Sequence, residues 1–356
     1  MSRTVLLNPG PVNITDKVRQ AMTLPDLCHR EKEFSNLMAA IRAKLLQAFN
    51  IEESFTSVLV SGSGTAALEM AVSSSLTPER SMLVIENGVY GERIGKLCDV
   101  YNFHRHTIKL DWGVPPNLED IESILKKQSD IEIVSMVHHE TTTGLLNPLQ
   151  SIGELAKKYG KIFLVDCISS LAGDEVDFTS IDLAVGTANK CLQGVPGASF
   201  VLFRKKDLAR LIKIPTRSLY FNLTEYHKAQ EIGKLLFTPA IPAHYALDVA
   251  LDELIEETVV GRLQRYANSA KFLRDGFKEL NLEYLIPEGW RSNCLTGLKL
   301  PKGVSYEKLH GKLKANGFVI YAGQGNLSEK IFRIANMGDI KKEEFDRFLK
   351  ILGTIC

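Results

Sequence analysis

The sequence predicts an α/β protein, a mostly parallel sheet covered by helices, followed by a smaller α+β segment. Three observations predict it. Between residues 55 and 205, short apolar runs alternate with amphipathic stretches, the order expected of repeated βα units. Several runs, Ile162-Phe163-Leu164-Val165 among them, are apolar without interruption, which suits strands buried on both faces. Beyond residue 300 the pattern changes to helix, two strands and a last helix.

The strands are expected at 57–60, 81–86, 131–137, 162–165, 183–186 and 199–203, with helices between them, for example at 66–75 and 149–159. A long helical run covers 244–280, and a boundary inside or beside it divides the chain into a large domain at 16–250 and a small one formed by 1–15 and 251–356. In the small domain a helix at 306–316 stops at Gly317, strands follow at 318–321 and 330–334, and a helix at 341–352 closes the chain. The extended N-terminal segment is expected to cross back to this second domain.

Composition narrows the partners. The 356 residues are 45% hydrophobic and 24% charged, with a formal net charge of +1, so nothing favours nucleic acid or an anionic membrane. The run Arg204-Lys205-Lys206 reads as solvated surface. Six scattered cysteines form neither a CxxC pair nor a disulfide framework, as expected of reduced thiols in a cytoplasmic protein. The start reaches Asn8-Pro9-Gly10-Pro11 before a signal-peptide core could form, and no apolar run is long enough to cross a bilayer.

The chemistry-bearing residues follow the strands. Asp166 ends the apolar run 162–165, and open α/β sheets bind ligands at the carboxyl ends of their strands; a helix cap is the competing reading. Lys190 sits in Gly186-Thr187-Ala188-Asn189-Lys190-Cys191, before a Gly/Pro-rich turn. A loop lysine is ordinarily a surface charge, but its small, uncharged neighbours allow it to face a site. Desolvation there would lower its pKa and free the amine for covalent attachment to a carbonyl. Lys190 follows Asp166 by 24 residues, about one helix and one strand, so the two can end neighbouring strands. Pyridoxal-phosphate chemistry needs this pair: a carboxylate to keep the pyridine nitrogen protonated and a lysine to anchor C4′.

Ser61-Gly62-Ser63-Gly64-Thr65 opens an Ala-rich helix after a strand. Glycines admit an anion to backbone N–H groups, hydroxyls add donors, and the helix end supplies positive potential. Ser63, Gly64 and Thr65 are thus candidates for a phosphate cup, although the pattern is no P-loop. Tyr90, in the turn Asn87-Gly88-Val89-Tyr90-Gly91, suits stacking on a pyridine face. His138-His139-Glu140-Thr141-Thr142-Thr143-Gly144 follows another strand. Adjacent histidines on extended chain point to opposite faces, which disfavours a metal, and hydroxyl donors to a ring oxygen fit better.

With these segments in view, the chain resembles the class V (fold-type I) pyridoxal-phosphate aminotransferases over nearly its whole length. The resemblance rests on Met136-Val137-His138, Glu140-Thr141-Thr142-Thr143-Gly144, Ala188-Asn189-Lys190-Cys191, Gln193-Gly194-Val195-Pro196-Gly197, Asn8-Pro9-Gly10-Pro11 and Phe332-Arg333-Ile334. It implies a pyridoxal 5′-phosphate cofactor, with Lys190 as anchor, Asp166 at the ring nitrogen, Tyr90 on the ring, Thr142 near the phenolic oxygen and Asn189 near the phosphate. It also implies that Thr238 reaches the phosphate of a neighbouring subunit in a homodimer with shared sites. Asn8 and Gly10 would lie on a substrate loop, and Arg333 would bind the substrate anion. More narrowly, the chain is similar to the branch that moves the amino group of 2-aminoethylphosphonate to pyruvate. Leu27-Cys28-His29-Arg30-Glu31 departs from that branch toward alanine–glyoxylate-type relatives; His29 and Arg30 are either an extra anion contact or a helix cap.

The rival readings are another class V transaminase, using an amino acid with glyoxylate or pyruvate, and a desulfurase-like lyase. The lyase would need Cys294 as a nucleophile on a mobile loop. Further off stands a non-catalytic α/β ligand-binding protein.

Overall fold

The structure, a computed structural model, describes residues 3–356. Its strands are, in chain order, β1 (Val5–Leu6), β2 (Phe55–Gly62), β3 (Ser81–Glu86), β4 (His104–Lys109), β5 (Ile131–Val137), β6 (His139–Glu140), β7 (Leu145–Leu146), β8 (Ile162–Asp166), β9 (Leu183–Thr187), β10 (Gly197–Arg204), β11 (Leu295–Lys299), β12 (Phe318–Val319), β13 (Tyr321–Ala322) and β14 (Ile331–Ala335). Seven form the central sheet in the order β2-β10-β9-β8-β5-β3-β4. The pairs β9·β8, β8·β5, β5·β3 and β3·β4 are parallel, whereas β10 runs antiparallel to both its neighbours. The expected α/β class and mainly parallel sheet therefore hold, with one reversed strand.

Alternation along the strands builds two cores, because successive side chains leave opposite faces of a sheet. Leu59, Leu83, Met136, Val165 and Ala184 join one cluster with the helices Lys32–Ala48, Leu149–Lys158 and Ile241–Glu257. Val58, Val84, Val137, Leu164 and Val185 join the other with the helices Gly64–Ser75 and Val89–Val100. A third cluster unites Val5 and Leu7 with residues between Leu273 and Leu352, and β1 pairs in parallel with β12. The chain's first residues thus pack on its last.

Three details differ from the pattern expected of the sequence. The strand β4 has no counterpart there: its His-Arg-His-Thr-Ile-Lys sequence is polar because it lies at the sheet edge, where only Ile108 is buried. The helical run at 244–280 is two helices, Ile241–Glu257 and Val259–Glu279, broken at Thr258. Thr258 takes a left-handed φ of 66° and its Oγ1 accepts from Gly261 N at 3.0 Å, so a capping bond offsets a conformation costly to a β-branched residue. The expected strand at 318–321 is split between β12 and β13, which belong to different sheets.

Candidate active site

Strands β5, β8 and β9 end together at Val137, Asp166 and Thr187, and the sequence motifs begin there. Phe163, Leu164 and Val165 are wholly buried, so their central strand carries Asp166 into the interior and presents it at the carboxyl end of the sheet. Asp166 is 3% exposed, and its Oδ1 accepts from Ile168 N at 2.9 Å. Burial pushes its pKa up to about 6, since a carboxylate loses its hydration there.

One strand over, the chain leaves β9 and turns at once. Gly194 N donates to Ala188 O at 2.8 Å and Gln193 N to Lys190 O at 2.9 Å, and this tight turn projects Lys190. Burial depresses the Lys190 pKa to about 8, with Cys191 and Asp166 working against that shift and Arg333 and Arg93 adding to it. The Nζ donates to Pro9 O. Gly10 is pressed against the same amine: a Cβ there would lie 2.6 Å from Nζ, at a φ of +108°. Only glycine suits the position on both counts.

Ser63, Gly64, Thr65, Tyr90, Asp166, Asn189 and Lys190 line one cavity of about 170 Å³. These are seven of the expected site residues, drawn from four separate stretches of sequence. Ser63 stands at the N-cap of the helix Gly64–Ser75, and its side chain bonds no backbone amide of that helix. Gly64 is packed so closely that a Cβ would lie 2.7 Å from Ile168. Tyr90 lies in the first turn of the helix Val89–Val100 rather than in a free turn. Asn189 Oδ1 accepts from Thr187 Oγ1 at 3.0 Å.

Other expected residues stand elsewhere. Thr142 is wholly buried behind the wall, where its Oγ1 donates to Glu140 Oε1 at 2.6 Å and accepts from Val89 N at 3.0 Å; the neighbouring Thr141 is the one that faces the cavity. Asn8 is buried, its Nδ2 donating to Pro11 O at 3.0 Å. Thr238 lines a different, smaller cavity with Tyr220, Tyr226 and Phe237, so this chain does not bring it to its own Lys190. Arg333 is 2% exposed on β14; its Nε donates to Ala322 O at 2.8 Å and its Nη1 to Thr141 O at 2.9 Å. Among the described residues its Nη2 has no hydrogen-bond partner.

The structure adds one residue that the sequence motifs do not single out, Arg93, and fixes the settings of several that they do. Arg93 lines the cavity, its Nη1 donating to Thr65 Oγ1 at 3.0 Å and its guanidinium lying 4.6 Å from the Tyr90 ring centre. Glu140 accepts from Tyr90 N at 3.1 Å and from Gly91 N at 3.0 Å. A buried carboxylate thus caps the helix that carries Tyr90, favoured there by the helix dipole. His139 faces the cavity whereas His138 does not, the alternation expected of extended chain. Burial holds both near a pKa of about 3, so both are neutral imidazoles. Cys294 is wholly buried, 3.4 Å from Cys191 Sγ, with its thiol pKa raised by burial. It therefore lacks the mobile, electropositive setting that a nucleophilic cysteine needs.

The model of the family described as aminotransferase class-V matches residues 18–332. The chain is a class V aminotransferase. A 2-aminoethylphosphonate–pyruvate transaminase from Bacillus cereus (strain AH820) is 36% identical over 352 residues, covering 97% of this chain and 96% of that one. Among solved structures, an alanine–glyoxylate aminotransferase from Nostoc sp. superposes with a TM-score of 0.94 at 28% identity, covering 100% of this chain and 96% of that one. A pyridoxamine–pyruvate aminotransferase from Mesorhizobium loti gives 0.92 at 26% identity, covering 99% and 92%. Pyridoxal 5′-phosphate is the cofactor of such an enzyme. The aminotransferase's cavity fits it: a buried carboxylate and a lysine of lowered pKa face hydroxyls, a helix N-terminus and an arginine across the same space. Among the described residues, no helix of the aminotransferase is long and apolar enough to cross a membrane.

Proposed function

We propose that the enzyme transfers the amino group of 2-aminoethylphosphonate to pyruvate, giving phosphonoacetaldehyde and alanine. The observation that carries this reading is the 36% identity, sustained over 97% of the chain, to a transaminase of that name. The site supports it chemically, because both substrates are anions and Arg333 has one guanidinium nitrogen still unpartnered. A planar guanidinium suits either a carboxylate or a phosphonate. When bound, the cofactor supplies an electron sink that stabilises charge on the carbon losing its proton.

The roles of the chain's own residues follow from that. Lys190 would anchor the cofactor, and its Nζ would be the group that moves the proton lost by the amine-bearing carbon. Asp166 stays ionised against a protonated ring nitrogen. Ser63, Gly64 and Thr65 receive the phosphate, Asn189 borders it, and Tyr90 covers the ring. Thr142 fastens the start of the Tyr90 helix through Glu140. Asn8 holds the Pro9–Gly10 segment against Lys190, and Arg333 receives the substrate anion. We further read Thr238, exposed and absent from the lining of the Lys190 cavity, as a contribution to a second subunit's phosphate site in a homodimer. We likewise read the chain as two domains, 16–250 and 1–15 with 251–356, the division falling within the helix Ile241–Glu257. A cytoplasmic enzyme suits all of this.

The donor half-reaction tests the proposal. The holoenzyme is offered 2-aminoethylphosphonate, alanine, serine and aspartate separately, and loss of the lysine-bound cofactor's visible absorption is followed. The expected result is fastest conversion by 2-aminoethylphosphonate, with parallel double-reciprocal lines against pyruvate. Faster conversion by alanine or serine would instead support the amino-acid–glyoxylate reading, which the 0.94 TM-score to the Nostoc enzyme favours. Arg333→Gln should raise the KM for pyruvate by about 10- to 100-fold, the loss of one charge-assisted contact to a carboxylate.

A further inference from the structure

Arg93 lies one helical turn after Tyr90, so both side chains leave the same face of the helix Val89–Val100. Both line the cavity. The Nη1 of Arg93 bonds the hydroxyl of Thr65, and its guanidinium lies over the Tyr90 ring. Two walls of the site, the hydroxyl cup and the aromatic face, are therefore joined through a single side chain.

Charge makes the position more telling. A phosphate monoester carries between one and two negative charges at neutral pH, while a helix N-terminus offers only about half a positive charge. The hydroxyls of Ser63 and Thr65 are neutral. Of the residues lining the cavity, only Arg93 and Lys190 carry cationic side chains, His139 being held neutral. Lys190 is committed to the reacting carbon. Arg93 has no carboxylate within 4.0 Å among the described residues, unlike Arg105, which has Glu86 and Asp99, and Arg262, which has Glu257. A half-buried guanidinium without a counter-ion, bonded to the cup's hydroxyl, is a site for a dianion.

We propose that Arg93 is a phosphate-binding residue, the permanent cation that neutralises the cofactor's phosphate. This rests on the placement of the phosphate at Ser63–Thr65. The two cations of the cavity then divide the work, Arg93 serving the cofactor and Lys190 the reaction, while Arg333 on β14 serves the substrate.

The test compares binding of pyridoxal 5′-phosphate with binding of pyridoxal, which has the same ring and aldehyde but no phosphate. Apoenzyme is prepared from wild type, Arg93→Gln, Arg93→Lys and Thr65→Val, and both affinities are measured by equilibrium titration. Arg93→Gln is expected to weaken pyridoxal 5′-phosphate by about 10- to 100-fold and to leave pyridoxal within about twofold, with Arg93→Lys in between because it keeps the charge and loses the fork. Retained pyridoxal binding also certifies that the variant has folded. An equal loss of both ligands would make Arg93 a merely structural residue and overturn the proposal. Should only Thr65→Val lower the preference for the phosphorylated ligand, the cup stands and the Arg93 assignment falls. If neither variant lowers it, the phosphate placement itself is wrong.

Discussion

Replacing Lys190 with alanine is expected to lower turnover by about a thousandfold or more, because anchor and proton carrier are lost together. Lys190 is the one lysine on the wall of the cavity, so no other amine on that wall can substitute. Its pKa, brought to about 8 by burial, makes a substantial neutral fraction available near physiological pH. The same depression fixes the sign of its effect on stability. The unfolded lysine binds a proton up to its ordinary value of 10.5, so from about 8 to that value the folded apoenzyme holds fewer protons than the unfolded chain. Over that window stability gained from this residue rises with pH, and below it the buried charge is a penalty. Apoenzyme carrying Lys190→Ala should accordingly melt no lower than wild type at neutral pH. Borohydride treatment followed by peptide mapping checks the assignment: the reduced adduct should sit on residue 190 in wild type and be absent from the variant. An undiminished adduct would remove Lys190 from its role. Added methylamine should restore part of the proton transfer, as a merely misfolded variant would not allow.

Asp166→Asn should cost a comparable factor in turnover yet stabilise the apoenzyme. Asn keeps an oxygen for the Ile168 amide but cannot hold a proton on the ring nitrogen, so the electron sink weakens. In the apoenzyme the carboxylate is a burden. Its pKa rises from 3.8 to about 6, a difference worth roughly 3 kcal/mol. Between those two values the folded state binds more protons than the unfolded one, so the carboxylate erodes stability as pH rises through that window, and the penalty is complete above about 6. The expected result is a higher Tm for apo Asp166→Asn at pH ~8, with the advantage vanishing below pH ~4. A variant that is less stable at both would mean that Asp166 serves the fold rather than the cofactor.

The residues that meet in the cavity are legible in the sequence because each follows a strand whose apolar run is unmistakable. Asp166 ends β8 and Lys190 follows shortly after the neighbouring β9, but the helix that their spacing suggested between the two strands is absent, turns alone joining 166 to 183; the Ser63–Thr65 turn opens its helix as expected. What escapes is information held by the third dimension. Arg93 reads in the sequence as one more solvated cation on an amphipathic helix; only the Tyr-x-x-Arg spacing, which puts it on the aromatic's face, could draw attention to it. Glu140 invites a metal reading beside two histidines, but its role depends on the backbone amides of Tyr90 and Gly91, some 50 residues away in sequence. Thr142 points behind the wall that Thr141 faces, and no residue preference separates adjacent threonines. The edge strand β4 lacks the apolar run that marks the buried ones.

The pairing of β1 with β12, and the contact of Pro9 and Gly10 with Lys190, have a consequence for biosynthesis. A chain emerging from the ribosome makes residues 5–6 more than 300 residues before their partners at 318–319. The sheet that bears Lys190 can assemble well before that, with the lysine's amine still uncovered. The segment that carries β1 must wait, unpaired, until β12 has been made before it can fold over the site. Synthesis of β12 is thereby coupled to closure of the reactive amine, and a product truncated before residue 318 would carry the nucleophile without its cover.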